Sequence, residues 1–551
     1  MATAPVSVPD VSDSMIPRPR FTTKLTRVRN AVLGVVLRPF RWFSAGAQLA
    51  IGFTLLVILT TLLLTRWPLT TKSIGLFILV LASYFVVWRF VESREANVDL
   101  SISKRRAFAL VGSAIMVETA VMRVGFIIAV GLAAQSTHPP LNDPSVWAFT
   151  IPFAAASLLV TMLLDRPLGL IAGVVASLFA GLLAPNGAQA SIFAFVSCAA
   201  AAYGIKRYRE RQSVTLAGLV VAGVNGIAAL ALIAFTQRPL TLTGAMVAAG
   251  CAVGGGLLTI IFAAGGVPIN ESLFGIVTDI RLLELSNADL PALSQLALRA
   301  PGTNQHSHAV GQLAEDACRA VGANALLARI GSLYHDIGKV AAPDHFVENQ
   351  TGANPHDHLR PTASAKIITS HVTYGLKLAN EIGLPKRVTD FIPQHHGTRT
   401  LHFFLKKAQE LACNGEKINE AEFRYPGPKP QFKEAAILML ADSAEAAARS
   451  LAHPDPESIR TIVVRIFDAI TTDGQLDEST LTARELTLIR ESLISSLNAL
   501  YHARIDYPGF NVASTDGAKT GEEERGVTYE KAADVPINRS GEVEDEAISH
   551  G

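Results

Sequence analysis

The chain has 551 residues, of which 49% are hydrophobic and only 17% charged, against about 25% charged in an average soluble chain. That composition, with a mean hydropathy of +0.32, argues against a disordered, collagen-like or disulfide-scaffold chain. A net charge of +1 offers no basic field for a nucleic-acid polymer. By length alone three or four domains are expected. The averages conceal a split, because Ala107 to Ala264 holds 11 charged residues in 158. The first half therefore reads as membrane-embedded and the second as a water-soluble domain. The four cysteines, Cys198, Cys251, Cys318 and Cys413, show no paired spacing and read as reduced, buried thiols.

Residues 1–45 carry Arg18, Arg20, Lys24, Arg27, Arg29, Arg38 and Arg41 without an apolar core. They read as a basic cytoplasmic tail, not a cleavable signal. A spanning helix needs about 20 mostly apolar residues. Within 46–265 the candidates are 46–66, 73–91, 107–134, 148–164, 167–184, 189–205, 214–235 and 243–264, a bundle of about eight spans. The spans at 148–164 and 167–184 are short and separated only by Asp165–Arg166. Arg94 and Lys104–Arg106, then Lys206, Arg207, Arg209 and Arg211, lie in loops on the side of the N-terminal tail. The opposite loops 135–147 and 185–188 lack Lys and Arg. The positive-inside rule then returns the soluble half to the cytoplasm. Glu118 and Arg123 fall near the middle of the third span, where an ionisable group is costly. Five residues apart, they point to different helix faces, which predicts partners on other helices, either as a functional site or as a brace for the bundle. No chain of such groups and no matched broken segments accompany them, so a transporter reading is weak.

Composition changes at Gly265–Pro268. Residues 266–300 are expected to form a linker helix, with Leu282, Leu283, Leu285, Leu290, Leu293, Leu296 and Leu298 at amphipathic spacing. From 301 to 510 helical periodicity recurs at about 306–320, 323–335, 361–382, 385–396, 401–412, 431–450, 456–472 and 482–503, with a Gly/Pro-rich loop over 413–430. Residues 511–551 read as a disordered acidic tail. The fold class expected is all-α: a polytopic transmembrane helix bundle followed by an all-helical soluble domain.

The soluble half is rich in metal-ligand types. His335–Asp336 and His395–His396 are adjacent pairs, and His306, His371 and Asp442 stand singly. Burying so many imidazoles and carboxylates without a cation would leave unpaired polar groups. A shared carboxylate can bridge two cations, and an N/O donor set suits Mn or Fe better than Mg or Ca alone. Such a pair acidifies a water and clamps a phosphate for in-line displacement. No Walker loop and no Ser/His/Asp order is present.

Around these residues stand longer strings: Thr278–Leu285, Ala300–Thr303, His335-Asp336-Ile337-Gly338-Lys339, Glu348-Asn349-Gln350 and Asn354–Asp357. Gln394–Thr398, Tyr425–Gln431, Ala441–Ser443 and Asp473–Asp477 follow. Together they resemble the HD phosphohydrolase superfamily and, more narrowly, the bacterial seven-transmembrane receptors with an intracellular HD hydrolase domain. The resemblance is close over about 271–508. It implies an all-α HD domain at the cytoplasmic face of a bacterial cell membrane. The implied activity is hydrolysis of a cyclic dinucleotide, typically cyclic di-AMP to linear pApA, with two divalent transition-metal ions, Mn or Fe, as cofactors. One ion would be held by His306, His335, Asp336 and Asp442. Asp336 would bridge to a second held by His371, His395 and His396, with His396 open to a substrate contact instead. Lys339 would sit beside the phosphate. The partners implied are a cyclic dinucleotide and the lipid bilayer, and self-association into a homo-oligomer is left open.

Three features depart from the family pattern. Asn304 stands where an aromatic is usual, an extra His308 follows His306, and Trp67–Lys72 leaves no room for the family's extracellular domain. His356 and His358, in a Pro-flanked loop, are expected to be exposed, with lining of the site entrance as the alternative. Cyclic di-GMP as substrate stays open, although Gly397-Thr398 replaces the expected GYP element. A non-catalytic nucleotide-binding receptor also stays open.

Overall fold

A computed structural model describes residues 44–65, 70–94, 102–205, 212–236, 241–412 and 418–501. The expectations for the basic N-terminal tail, the Lys206–Arg211 loop, Cys413 and the acidic C-terminal tail lie outside the described residues. Among the described residues the chain is helical, with one isolated bridge between Thr400 and Arg424.

Among the described residues seven helices are long and apolar enough to cross a membrane: α1 (Ala45–Leu64), α2 (Thr71–Ser93), α3 (Lys104–Ala133), α6 (Arg166–Leu183), α7 (Gly187–Gly204), α8 (Gln212–Phe235) and α9 (Leu242–Phe274). Between α3 and α6 lie two short helices, α4 (Pro144–Ala148) and α5 (Ala155–Leu163). At 1.5 Å per residue the 30 residues of α3 extend about 45 Å, ample for a hydrocarbon core. The bundle has its own apolar core, built around Tyr84, Phe108, Ile115, Leu158 and Phe179. Small residues let helices meet closely. A Cβ on Gly256 would lie 2.5 Å from the Cα of Ala222, so α8 and α9 touch backbone to backbone there.

The span expected at 148–164 is not a continuous helix. Residues 149–154 break it, and Pro152 removes a backbone donor there. The break is stabilised from outside: the Glu118 carboxylate, 3% exposed, accepts from the Ala156 N–H at 3.3 Å and satisfies a donor that the start of α5 would otherwise leave orphaned. The segment nonetheless runs from one end of the bundle to the other. Asp165, which follows α5, ion-pairs with Arg94 at the end of α2, while Lys104 Nζ at the start of α3 bonds the carbonyls of Glu92 and Arg94. Asp143 and Pro144 line the same cavity as Ala184–Asn186 at the opposite end. Arg166 reaches the carbonyls of Ala202 and Ile205 at 3.2 Å. Gly275, past the end of α9, approaches Arg106. The basic residues Arg94 and Lys104–Arg106 therefore share one end of the bundle with the exit of α9.

Glu118 and Arg123 do not pair with each other. Arg123 donates to the carbonyls of Leu62, Leu63 and Thr65, filling acceptors that the end of α1 leaves free.

The linker also differs from expectation. Helix α9 continues through Pro268 to Phe274 and stops at Gly275, whose φ of +68° lies in the left-handed region open to glycine. Two short helices then follow, α10 (Asp279–Leu285) and α11 (Pro291–Arg299). Leu282, Leu285, Leu293 and Leu296 join the core of the soluble half, whereas Leu283 and Leu298 face outward, the latter 81% exposed. The amphipathic stripe is thus part of that core and not a free tether.

The soluble half contains α12 (Pro301–Val321), α13 (Ala325–Tyr334), α14 (Pro361–Ile382), α15 (Lys386–Thr389), α16 (Phe391–Gln394), α17 (His402–Leu411), α18 (Lys433–Arg449), α19 (Pro456–Thr472) and α20 (Ala483–Leu500). Short 3₁₀ turns cover Ile337–Ala341, Pro343–His345, Val347–Asn349 and Pro355–His358. Helix α18, with Ala435–Ala441 fully buried, is the central rod.

Candidate metal centre

Four helices and a turn converge on Asp336. Helix α13 ends at Tyr334, so His335 and Asp336 stand where the α-helix gives way to the 3₁₀ turn. The glycine that follows is required by packing: a Cβ on Gly338 would lie 1.9 Å from the carbonyl oxygen of His371. That close approach brings α14, and His371 with it, against the turn. Helix α12 carries His306 in its second turn, and its start is held by another close approach. A Cβ on Gly302 would lie 1.8 Å from the Glu348 carbonyl oxygen. Thr303 donates its N–H to Asn349 Oδ1 and its hydroxyl to Glu348 Oε1, at 3.1 and 2.8 Å. The Ala300–Thr303 and Glu348–Gln350 strings are therefore two halves of one clasp. Gln475 does the same for the turn after His395–His396, accepting from the Thr398 N–H at 2.9 Å.

The two Asp336 oxygens face different histidines. Oδ1 lies 3.4 Å from His371 Nε2 and 3.6 Å from His395 Nε2. Oδ2 lies 3.3 Å from His335 Nε2 and 4.0 Å from His306 Nε2. Asp442 Oδ1, from α18, lies 2.9 Å from His306 Nε2 and 3.8 Å from His335 Nε2. The seven expected ligands thus form two clusters, Asp336/His371/His395/His396 and His306/His335/Asp442, each with its donor atoms within 4.8 Å of one another. His396 is the most exposed of them and stacks on Tyr425, ring centroids 4.1 Å apart.

The donor atoms fit cations. His335, His371 and His395 give their Nδ1 protons to the carbonyls of Ser332, Ile368 and Phe391. That fixes the tautomer and turns each Nε2 inward. These three Nε2 atoms and Asp336 Oδ1 are buried with no hydrogen-bond partner. Buried orphans cost about 1–3 kcal/mol each, and four of them, three in one cluster and His335 Nε2 in the other, are what cation sites leave when their ligand atoms are arranged in advance.

The charges of His371, His396 and Asp336 agree with that reading. Burial pushes His371 down to about 4, and the proximity of His395 adds to it. Burial likewise drives His396 well below its ordinary value. Both imidazoles are held in the neutral form that a cation would need. Burial opposes ionisation of Asp336, but the His335 and Lys339 charges outweigh it and hold the carboxyl well below the usual range. His306 is raised to about 8, burial being outweighed by Asp442 and Glu445.

Lys339 is not a surface lysine. Its Nζ lies 2.7 Å from Asp336 Oδ2 and 2.8 Å from Glu348 Oε1, over the Phe346 ring. His308 is exposed and belongs to neither cluster. His356, expected in an exposed loop, is 5% exposed; it packs on His345 and Phe404, with Nε2 bonded to the His345 carbonyl. His358 is exposed. Sequence reasoning missed Glu445, which accepts from His306 Nδ1 at 2.6 Å. Its signal was its place three residues after Asp442, on the same helical face. Beside the clusters His396, Arg399, His402, Phe403 and Tyr425 line a cavity of about 290 Å³.

Residues 70–278 match the family described as 7TM receptor with intracellular HD hydrolase, and residues 303–447 match the HD domain. The chain is 35% identical over 444 residues to the cyclic-di-AMP phosphodiesterase PgpH of Bacillus subtilis, covering 79% of this chain and 59% of that protein. It is 38% identical over 364 residues to PgpH of Listeria monocytogenes, covering 66% and 50%. The chain therefore spans between half and three fifths of the length of these curated relatives. The crystal structure of the L. monocytogenes PgpH HD domain is 44% identical, covers 39% of this chain and all of that one, and has a TM-score of 0.37. Its complex with cyclic-di-AMP is 45% identical with the same coverage and TM-score. By these matches the chain joins a membrane region similar to that of the 7TM receptors with an intracellular HD hydrolase to a soluble half similar to the HD domain.

Proposed function

We propose that the chain is a membrane-anchored, metal-dependent phosphodiesterase that opens a cyclic dinucleotide, cyclic di-AMP to linear pApA. The observation that carries this is the division of the Asp336 carboxylate between two histidine clusters. The substrate rests on the relatives, which are named cyclic-di-AMP phosphodiesterases.

His306, His335, Asp336 and Asp442 would hold one divalent ion, and Asp336, His371, His395 and His396 the other, with Mn or Fe favoured by the imidazole/carboxylate donor set. Bound there, such a pair supplies Lewis-acid charge and an acidified water for attack in line with the leaving oxygen. The chain's own residues do the rest. Lys339 offers its ammonium to a phosphate oxygen while Glu348 keeps it in place. Arg399, fixed by Ser443 at 2.8 Å, places a second cation at the neighbouring cavity. Phe403, 70% exposed, presents an aromatic face to a base there.

The chain divides, on this reading, into a basic tail (1–45), the bundle (46–265), a linker (266–300), the HD domain (301–510) and an acidic tail (511–551). The exit of α9 shares its end of the bundle with Arg94 and Lys104–Arg106, which under the positive-inside rule supports a cytoplasmic HD domain.

The test is to purify the chain in detergent, load it with Mn²⁺ or Fe²⁺, and offer cyclic di-AMP and cyclic di-GMP in parallel. Formation of pApA with little turnover of cyclic di-GMP is expected. Turnover of neither by a metal-loaded chain would contradict the assignment, and preference for cyclic di-GMP would change the substrate.

A further inference from the structure

The two clusters are not built alike. In the Asp336/His371/His395/His396 cluster, His371 and His395 are oriented by backbone carbonyls, those of Ile368 and Phe391. His335, in the other cluster, is oriented by the carbonyl of Ser332. His306 differs from all three: its Nδ1 faces a carboxylate, Glu445 Oε2, at 2.6 Å. Glu445 is 1% exposed and is itself fixed. Arg449, one turn further along α18, donates from Nε to Glu445 Oε1 at 2.9 Å, with Nη2 on the same oxygen. Asp442 stands one turn before Glu445 and meets the other nitrogen of His306 at 2.9 Å. One helix thus supplies a ligand, the group that backs a second ligand, and the cation that holds that group still.

A carboxylate accepting an imidazole N–H draws the proton more strongly than a neutral carbonyl does. The opposite nitrogen becomes a stronger donor to a cation, and the ring loses rotational freedom. We propose that Glu445, held by Arg449, is a positioning residue that acts through His306 to make the His306/His335/Asp442 position the tighter of two unequal metal positions. This rests on the two-metal reading of the site. The bland alternative is an Arg449–Glu445 pair that only braces α18, with the contact to His306 incidental. The two differ in what removal of the Glu445 charge does to one metal position and not the other.

The experiment is a metal titration of the full chain in detergent, without substrate, followed by Mn²⁺ electron paramagnetic resonance and by metal content after equilibrium dialysis. Wild type is expected to bind two ions in two resolved steps. Glu445→Gln keeps the size and an acceptor oxygen, so its metal-free melting temperature is expected to stay near wild type. Its tighter step is expected to weaken about 10–100-fold, with the weaker step unmoved. Arg449→Met leaves Glu445 in place and is expected to weaken the same step by less; it carries the test if Glu445→Gln does not fold. A Glu445→Gln isotherm that overlays wild type, or two steps that shift equally in either variant, would overturn the proposal. Fewer than two ions in wild type would instead overturn the two-metal reading on which it stands.

Discussion

Replacing Gly338 by alanine tests whether backbone packing, rather than the ligands alone, builds the centre. The new Cβ would stand 1.9 Å from the His371 carbonyl oxygen, 2.7 Å from the Gly375 nitrogen and 2.8 Å from the His371 carbonyl carbon. All three are backbone atoms, so no side chain can swing aside. Restoring ordinary van der Waals separation requires the turn and α14 to part by about 1.5 Å. Overpacking of this kind costs about 1–3 kcal/mol in stability. The larger effect falls on His371, whose Nε2 is 3.4 Å from Asp336 Oδ1 and rides on the displaced helix. A misplacement near 1 Å typically costs about 100-fold in rate. Gly338→Ala is therefore expected to fold, to bind about one ion per chain by metal analysis, and to hydrolyse cyclic di-AMP about 100-fold more slowly. Wild-type turnover with two ions bound would refute the argument that this glycine positions His371.

Asp336→Ala removes the carboxylate that both clusters share, and turnover should fall by more than about 1000-fold together with loss of bound metal; a variant that keeps both ions would contradict the bridging role. Metal affinity should rise between pH 6 and pH 8. His306, raised to about 8, and His335, raised to about 10 because Asp336 and Asp442 outweigh burial, hold protons in the metal-free chain that a cation must displace, and binding isotherms at three pH values read the slope. Affinity that is flat or falls over that range would contradict this. The Tyr334 hydroxyl, buried, donates to the Leu285 carbonyl at 2.7 Å and ties α10 to the residue before His335. Tyr334→Phe leaves that carbonyl unpaired, so thermal unfolding should show a loss of about 1–3 kcal/mol, and an unchanged melting temperature would mean that the contact adds nothing.

The candidate ligands were legible because four of them come as two adjacent pairs in specific strings, and all seven fall into the two clusters. Their backing groups were not, since a carbonyl at i−3 or i−4 leaves no mark on the sequence. Glu445 had a mark, its spacing from Asp442 and Arg449, but that spacing is equally that of an ordinary helical ion pair. The bundle was legible wherever hydropathy decides. It failed at 148–164, where hydropathy stays high across Pro152 and does not register the break, which is held by Glu118 from another span. Pro268 was misleading in the other direction: α9 tolerates it and ends at Gly275, where the backbone turns left-handed. The leucines of the linker carried the correct periodicity but not their destination, because only the fold shows that Leu282, Leu285, Leu293 and Leu296 pack into the soluble core. His356 was misread for a related reason, since its Pro-flanked surroundings look exposed until Phe404 and His345 cover it.

The most direct measurement is the rate of pApA formation from cyclic di-AMP by the full chain as metal is added from zero to two equivalents. If Asp336 joins two cation positions that act together, turnover stays low through the first equivalent and rises steeply with the second. Full activity at one equivalent, or none at two, would contradict the account.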